Sequence, residues 1–174
     1  MIYTWKYSSE LGQITLAGSE RVLTGLWFEG QKHFAPGIGP ETVTALTPVF
    51  RQTVEWLDCY FAGGIPGFVP ALATEGTAFQ EVVWGILRTV PYGQTMTYGQ
   101  LAARASALAA GGQFDTPGAR PSARAVGQAV GRNPISLIIP CHRIVAAGGA
   151  LGGYAAGQWR KERLLKLEAR RLLG

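Results

Sequence analysis

The chain has 174 residues, 47% of them hydrophobic, and a net charge of +5, enough apolar material for one ordinary domain or two small ones sharing an interface. No apolar run approaches the roughly 20 residues that span a bilayer, and Met1–Lys6 lacks the basic-then-apolar layout of a secretory signal, so a soluble, cytoplasmic protein with no membrane partner is expected. The two cysteines, Cys59 and Cys141, lie far apart in unlike contexts, which argues against a disulfide framework and leaves a structural zinc site short of ligands.

Residues 1–34 alternate apolar and polar positions in short runs, Gly12–Ala17 and Val22–Phe28 among them, and read as strands of a small antiparallel sheet. After the loop Pro36–Pro40, Thr47 and Pro48 supply an N-cap and a first-turn proline, and Gly63-Gly64 a stop, so residues 48–62 should be helical. Cys59 falls inside that helix beside aromatics and reads as a small buried hydrophobe. Residues 65–76, with Pro66, Gly67 and Pro70, look like a linker. The predicted organisation is therefore α+β: a sheet-plus-helix unit over 1–76, then a mostly helical unit over 77–174.

The charge changes sign near the same boundary. Residues 1–84 hold 4 Lys/Arg against 8 Asp/Glu, whereas residues 85–174 hold 12 against 3. A basic half joined to an acidic one points to a polyanionic partner for the basic half, although charge alone fits an ordinary solvated surface equally well.

Thr77 with Gln80 forms a capping box ahead of Val82–Leu87, predicting a helix to about Val90 that stops at Pro91 and Gly93. A second box, Thr97 with Gln100, opens the next helix through Leu101–Ala103. A third is expected from Ala123 to about Arg132. At 100° per residue, Arg124, Gly127, Gln128 and Gly131 share one arc and Ala125, Val126, Ala129 and Val130 the other. The outward face is almost bare backbone, although glycine costs about 1 kcal/mol relative to alanine. Close approach of a nucleic-acid backbone explains so slim a face; packing against another helix is the competing explanation. Two helices, the second presenting Arg124 and Gln128, fit a helix-turn-helix, but the connection from Ala105 to Pro121 is far longer than the usual turn and reads as a surface insertion, with Arg104 and Arg120 at its edges.

Asn133–Pro140 reads as a buried extended segment delivering the chain to Cys141, His142 and Arg143. Nearby positive charge or a hydrogen-bonded imidazole lowers a thiol pKa, so Cys141 is the candidate nucleophile in thiolate form. Adjacent residues diverge in extended chain, so His142 is expected to act through a water. Glu168, about 40° around the last helix from Leu164 and close to Leu165, lies in an apolar stripe and must find a partner; His142 is favoured over an arginine such as Arg143. Lys161, on the same face, is expected at the frayed, exposed helix end.

These residues together resemble the O6-alkylguanine-DNA alkyltransferases: Pro140–Val145 preceded by Asn133-Pro134, Ser122–Gly127, Pro91–Gln94 leading to Thr97–Ala102, Gly152–Tyr154, and Lys161-Glu162 through Leu164-Leu165 to Glu168. The match covers roughly residues 77–174; the N-terminal half resembles the family in layout only. The resemblance implies stoichiometric repair of double-stranded DNA carrying O6-alkylguanine, and also O4-alkylthymine, by a monomer without cofactor or metal. It places the alkyl acceptor at Cys141, its water-linked base at His142 and that base's carboxylate partner at Glu168. Tyr98 assists flipping and donates a proton to the departing guanine, and Asn133 braces the site. Arg124 fills the gap left by the everted base, on the helix where Ala123, Gly127 and Gln128 meet DNA. The Ala155 N–H faces the guanine oxygen, and the carbonyls of Cys141 and Ile144 its exocyclic amine. Ala156 stands where relatives often carry glycine. Two other classes compete: a cysteine hydrolase using Cys141, His142 and Glu168, for which no oxyanion motif is evident, and a sensor of alkylated DNA that does not react, against which a cysteine at the acceptor position argues.

Overall fold

The structure, a computed structural model, describes residues 1–108 and 121–173. Strands β1 (Tyr3–Ser9), β2 (Gly12–Gly18) and β3 (Leu23–Phe28) form an antiparallel meander, as the alternation predicts. A short strand β4 (Val43–Thr44), in a stretch without a strand signal, adds to β1 in parallel, giving the order β3-β2-β1-β4. Two residues show no measurable periodicity, which is why β4 is not visible in the sequence.

Helix α1 (Pro48–Phe61) begins at Thr47, whose hydroxyl accepts the Phe50 N–H at 3.3 Å. Cys59, expected to be buried, is half-exposed on it. Helices α2 (Ala78–Leu87) and α3 (Tyr98–Leu108) both open with the anticipated reciprocal caps: Thr77 and Gln80 exchange bonds of 3.0 and 3.1 Å, Thr97 and Gln100 of 2.9 and 3.1 Å. α2 ends three residues before Val90. α3 runs further than the capping box alone indicated, and its Ala105 is fully buried, so the start of the expected insertion belongs to the core. Residues 109–120 of that insertion, Arg120 among them, lie outside the described residues.

Helix α4 (Ala123–Gly131) packs against α2 and α3, and the Trp84 indole donates to the Ala129 carbonyl at 2.9 Å. Its buried side carries Val126, Ala129 and Val130; Arg124 and Gln128 are exposed. A side chain added at Gly127 or Gly131 would meet open space among the described residues, so the bare face does not pack on another described helix. Helix α5 (Gln158–Leu173) closes the fold. One continuous core joins sheet residues such as Ile14 and Phe28 to Leu57 of α1, Leu101 of α3, Val126 of α4 and Leu164 of α5.

The segment before Cys141 differs from expectation. It is buried, but only Ile135 makes a strand-like bridge, to Leu26 on the free edge of β3: Leu26 N–H donates to Pro134 O at 2.9 Å and Ser136 N–H to Leu26 O at 3.0 Å. The chain then turns back, with Ile139 N–H on Ile135 O at 3.0 Å and Leu137 at φ 71°, a left-handed conformation unfavourable for a branched side chain. An apolar run of this length does not distinguish a strand from a buried turn. A second unforeseen element, β5 (Met96–Thr97) paired in parallel with β6 (Ile144–Val145), ties the start of α3 to the residues after Cys141.

Gly127→Ala is expected to raise stability by the ~0.5–1 kcal/mol that alanine gains over glycine inside a helix. A thermal melt checks this, and an unchanged or lowered midpoint would mean that the face is covered.

Candidate active site

Cys141, His142 and Arg143 form a single 3-10 turn, and all three are buried. The turn is held from three directions. Asn133, itself buried, donates from Nδ2 to Ile139 O at 2.7 Å and accepts the Ile135 N–H at 3.0 Å, bracing the chain just ahead of the cysteine. The pairing of β5 with β6 fixes the exit. From below, Glu168 of α5, 1% exposed, takes both partners that the sequence had set against each other. Its Oε1 lies 3.2 Å from His142 Nε2, while Arg143 Nε donates to Oε1 and Oε2 at 2.9 and 3.2 Å. Arg143 Nη1 also donates to Val90 O at 2.8 Å, so the guanidinium is nearly saturated.

Burial would raise the Glu168 carboxyl, but hydrogen bonds and charge from His142 and Arg143 hold it below its ordinary value. Burial pushes His142 down, and Arg143 and Lys161 add to that, against the pull of Glu168. The imidazole is therefore neutral. Assigning its proton to Nε2, toward the carboxylate, leaves Nδ1 as an acceptor, and among the described residues Nδ1 is buried without a partner. The Tyr60 ring of α1 packs edge-on against His142, centroids 6.5 Å apart.

For the thiol, the expectation of a resting thiolate needs correction. Burial pushes Cys141 above its ordinary value; Asn133, Lys161, its own backbone N–H and Tyr154 pull the other way without prevailing. The sulfur rests protonated beside groups ready to stabilise the anion. Lys161 is the second correction: it is fully buried, donating to the carbonyls of Ile144 and, at 3.0 Å, Gly153, with its ammonium 5.8 Å from the centre of the Tyr98 ring. Burial pushes Lys161 down to about 8, with the Cys141 sulfur opposing. The same 100° arithmetic that singled out Glu168 places Lys161 about 20° from it; a lysine near a helix start is ordinarily exposed, but the long stem lets this ammonium reach carbonyls inside the fold.

Cys141 opens into a cavity of about 800 Å³ lined also by Tyr98, Ala123, Arg124, Gly127, Gln128, Arg132, Tyr154 and Ala155. The cavity thus gathers Cys141 and most of the residues that the resemblance assigns to the base and DNA. It does not include His142, Glu168 or Asn133, which stand behind the cysteine, nor Ile144, which is buried with its carbonyl on Lys161. Tyr98, its hydroxyl donating to Gly153 O at 3.3 Å, is raised above its ordinary value by burial and by Cys141. Tyr154, quoted in the sequence only as part of a motif, turns a buried hydroxyl toward the sulfur. Two further lining residues, Lys32 and His33, come from the N-terminal half and carried no sequence signal. Among the described residues no group of three or more His, Cys, Asp or Glu is placed to hold a metal ion.

Glu168→Gln is expected to lower stability at neutral pH by about 3–5 kcal/mol, because Arg143 keeps a buried charge without its counter-ion. The folded carboxyl titrates below the unfolded one, so its contribution is complete above the ordinary carboxylate range and is lost as pH falls through the folded value. Urea titrations at neutral pH and below about pH 4 should show the variant's deficit shrinking in acid.

Residues 78–170 match the family model described as 6-O-methylguanine DNA methyltransferase, DNA binding domain, and residues 2–65 that of the ribonuclease-like domain of the same enzyme. The chain is 41% identical over 175 residues to the methylated-DNA–protein-cysteine methyltransferase of Mycobacterium leprae, covering 99% of this chain and 96% of that one. It is also 41% identical over 163 residues to the enzyme of that name from Methanosarcina acetivorans, covering 93% and 95%. Among solved structures, Mycobacterium tuberculosis OGT in complex with DNA superposes with a TM-score of 0.81 at 40% identity, over 97% of this chain and 94% of that one. A buried cysteine in the wall of a cation-lined cavity, backed by an imidazole and a carboxylate, and similarity along nearly the whole length lead to one conclusion: the chain belongs to the methylated-DNA–protein-cysteine methyltransferase family.

Proposed function

We propose that the protein repairs double-stranded DNA by transferring the alkyl group of an everted O6-alkylguanine to Cys141, once per molecule. The observation that carries this reading is the shared cavity: Cys141 lines the same space as Tyr98 and the exposed Arg124 of a glycine-faced helix. In this reading α3 and α4 act as a helix-turn-helix, α4 lies in the groove, and Gly127 lets backbone approach backbone. A stacked base is out of reach, so the nucleotide rotates out at a cost of a few kcal/mol, and Arg124 occupies the space it leaves. The molecule is divided at about residue 76 into a supporting unit and a reacting one, and acts as a cytoplasmic monomer. Among the described residues no helix is long and apolar enough to cross a membrane.

In the transfer, the thiol proton passes through a water to Nδ1 of His142, and Glu168 offsets the charge on the imidazole. The sulfur attacks the alkyl carbon in line as the carbon–oxygen bond breaks. Tyr98 gives its proton to the departing guanine, leaving an S-alkyl thioether and an unmodified base. Lys161 and Tyr154 stabilise the sulfur while it is negative. A thioether offers no good leaving group, so nothing regenerates the cysteine; a hydrolase would need that step. O4-alkylthymine presents the same alkyl–oxygen bond on a smaller ring and is a second substrate of the same cavity.

Incubation with a duplex carrying O6-benzylguanine is expected to give one benzyl adduct per chain on the Cys141 peptide by mass spectrometry. Repeated turnover would support a hydrolase, and binding without an adduct would support a sensor. Cys141→Ala should abolish the adduct while retaining DNA binding; loss of folding instead would mark Cys141 as structural. Arg124→Ala should slow reaction in duplex more than with the free base, and an equal loss on both would remove its wedge role.

The pH profile tests the relay. With His142 lowered and Cys141 raised, the rate should be flat between their two titrations and fall in acid as the imidazole takes a proton. In His142→Gln the rate should instead climb about tenfold per pH unit through neutrality, following thiol ionisation; a variant profile as flat as the parent's would exclude His142 as the base.

A further inference from the structure

The residues after β3 bring two side chains of the acidic N-terminal half into the wall of the acceptor cavity. Lys32 and His33 line it together with Arg124, Gln128, Arg132 and Cys141. Of the four Lys/Arg in residues 1–84, which face eight carboxylates in the same segment, Lys32 is the one found in this lining. Lys6, by contrast, is engaged with Glu29 at 2.8 Å.

The placement is built rather than incidental to a loose loop. Gln31 is buried, and its Oε1 accepts the Phe28 N–H at 2.8 Å, fixing the chain where it leaves the sheet. The Lys32 backbone N–H then donates to the Ala155 carbonyl at 3.0 Å, fastening the turn to a segment of the C-terminal half that also lines the cavity. His33 and Ala35 sit at φ 55° and 45°, left-handed positions that non-glycine residues occupy at a cost. Held this way, the Lys32 side chain is exposed and, among the described residues, without an ion-pair partner.

Three exposed cations, Lys32, Arg124 and Arg132, therefore surround one cavity, and no described carboxylate is in its lining. Like charges gathered without a counter-ion repel, and an anion entering the cavity mouth relieves that repulsion. A neutral base cannot serve; the phosphodiesters on either side of an everted nucleotide can. We infer that Lys32 is a phosphate contact supplied by the N-terminal half, so that the strand carrying the lesion is gripped both from α4 and from the turn after β3. The inference rests on the repair reading and extends it to a part of the chain otherwise without a role in DNA binding.

The experiment compares the parent protein with Lys32→Ala and Lys32→Arg. It measures duplex binding across a salt series, and single-turnover benzyl transfer from duplex and from free O6-benzylguanine. The hydrogen bond to Ala155 uses the backbone and survives both substitutions. Lys32→Ala should weaken duplex binding about three- to tenfold and reduce the slope of log affinity against log salt by about 0.9, the value of one phosphate contact. Its loss of rate on duplex should exceed its loss on the free base by a similar factor, and Lys32→Arg should restore the slope. An unchanged slope, or equal losses on both substrates, overturns the inference. If the parent makes no adduct with either substrate the repair reading itself fails, whereas a reactive parent matched by Lys32→Ala removes Lys32 alone.

Discussion

Glu168 is a carboxylate taken out of water at the centre of the C-terminal half, and a charge so placed costs several kcal/mol unless its neighbours replace the lost solvation. The neighbours that do so, His142 and Arg143, are consecutive residues of the turn that begins with Cys141. One electrostatic requirement thus fixes the turn that carries the Cys141 sulfur. Because Arg143 also reaches Val90 and the Tyr60 ring lies against His142, the same group ties α5 to the turn that follows α2 and to α1. Burial first, and the Arg143 and Lys161 charges after it, hold the histidine neutral against the pull of the carboxylate, and among the described residues its Nδ1 has no partner and is available for a proton.

The sulfur illustrates a compromise between exposure and reactivity. Burial keeps Cys141 protonated and protected, while Lys161, Asn133 and Tyr154 stand ready to stabilise the anion. A permanently ionised thiolate opening on solvent would be vulnerable to oxidation. A thiol that ionises only as its proton is taken avoids that exposure. The bare face of α4 shows a comparable trade: glycine at 127 forgoes helix stability, and the space it leaves borders the cavity that Cys141 lines.

The N-terminal sheet takes part in the site as well as supporting it. The edge of β3 that β2 leaves free pairs with residues 71–73 and with 134–136, so the strand guides the chain toward Asn133 and Cys141. The turn that follows β3 then supplies part of the cavity wall. An edge strand has unpaired donors and acceptors, and here they are used to hold irregular chain rather than another strand.

Much of this was determined locally and could be read from the sequence: the α+β class, both capping boxes, the buried and bare faces of α4, and Cys141, His142 and Glu168 as one constellation. Caps and periodicities are interactions between residues a few positions apart, so they are written in the order of the chain. The sequence also holds the signal for Lys161, which shares the Glu168 face of α5, although a lysine near a helix end is by itself an ordinary surface residue. What only the tertiary structure decided depends on residues far apart in sequence. Glu168 could take both His142 and Arg143 because a 3-10 turn, not a strand, presents them; Cys141 is protonated because desolvation outweighs the charges around it; and Lys32 reaches the cavity because β3 ends beside Ala155. Burial and through-space charge are properties of the assembled molecule, and no local pattern of residues encodes them.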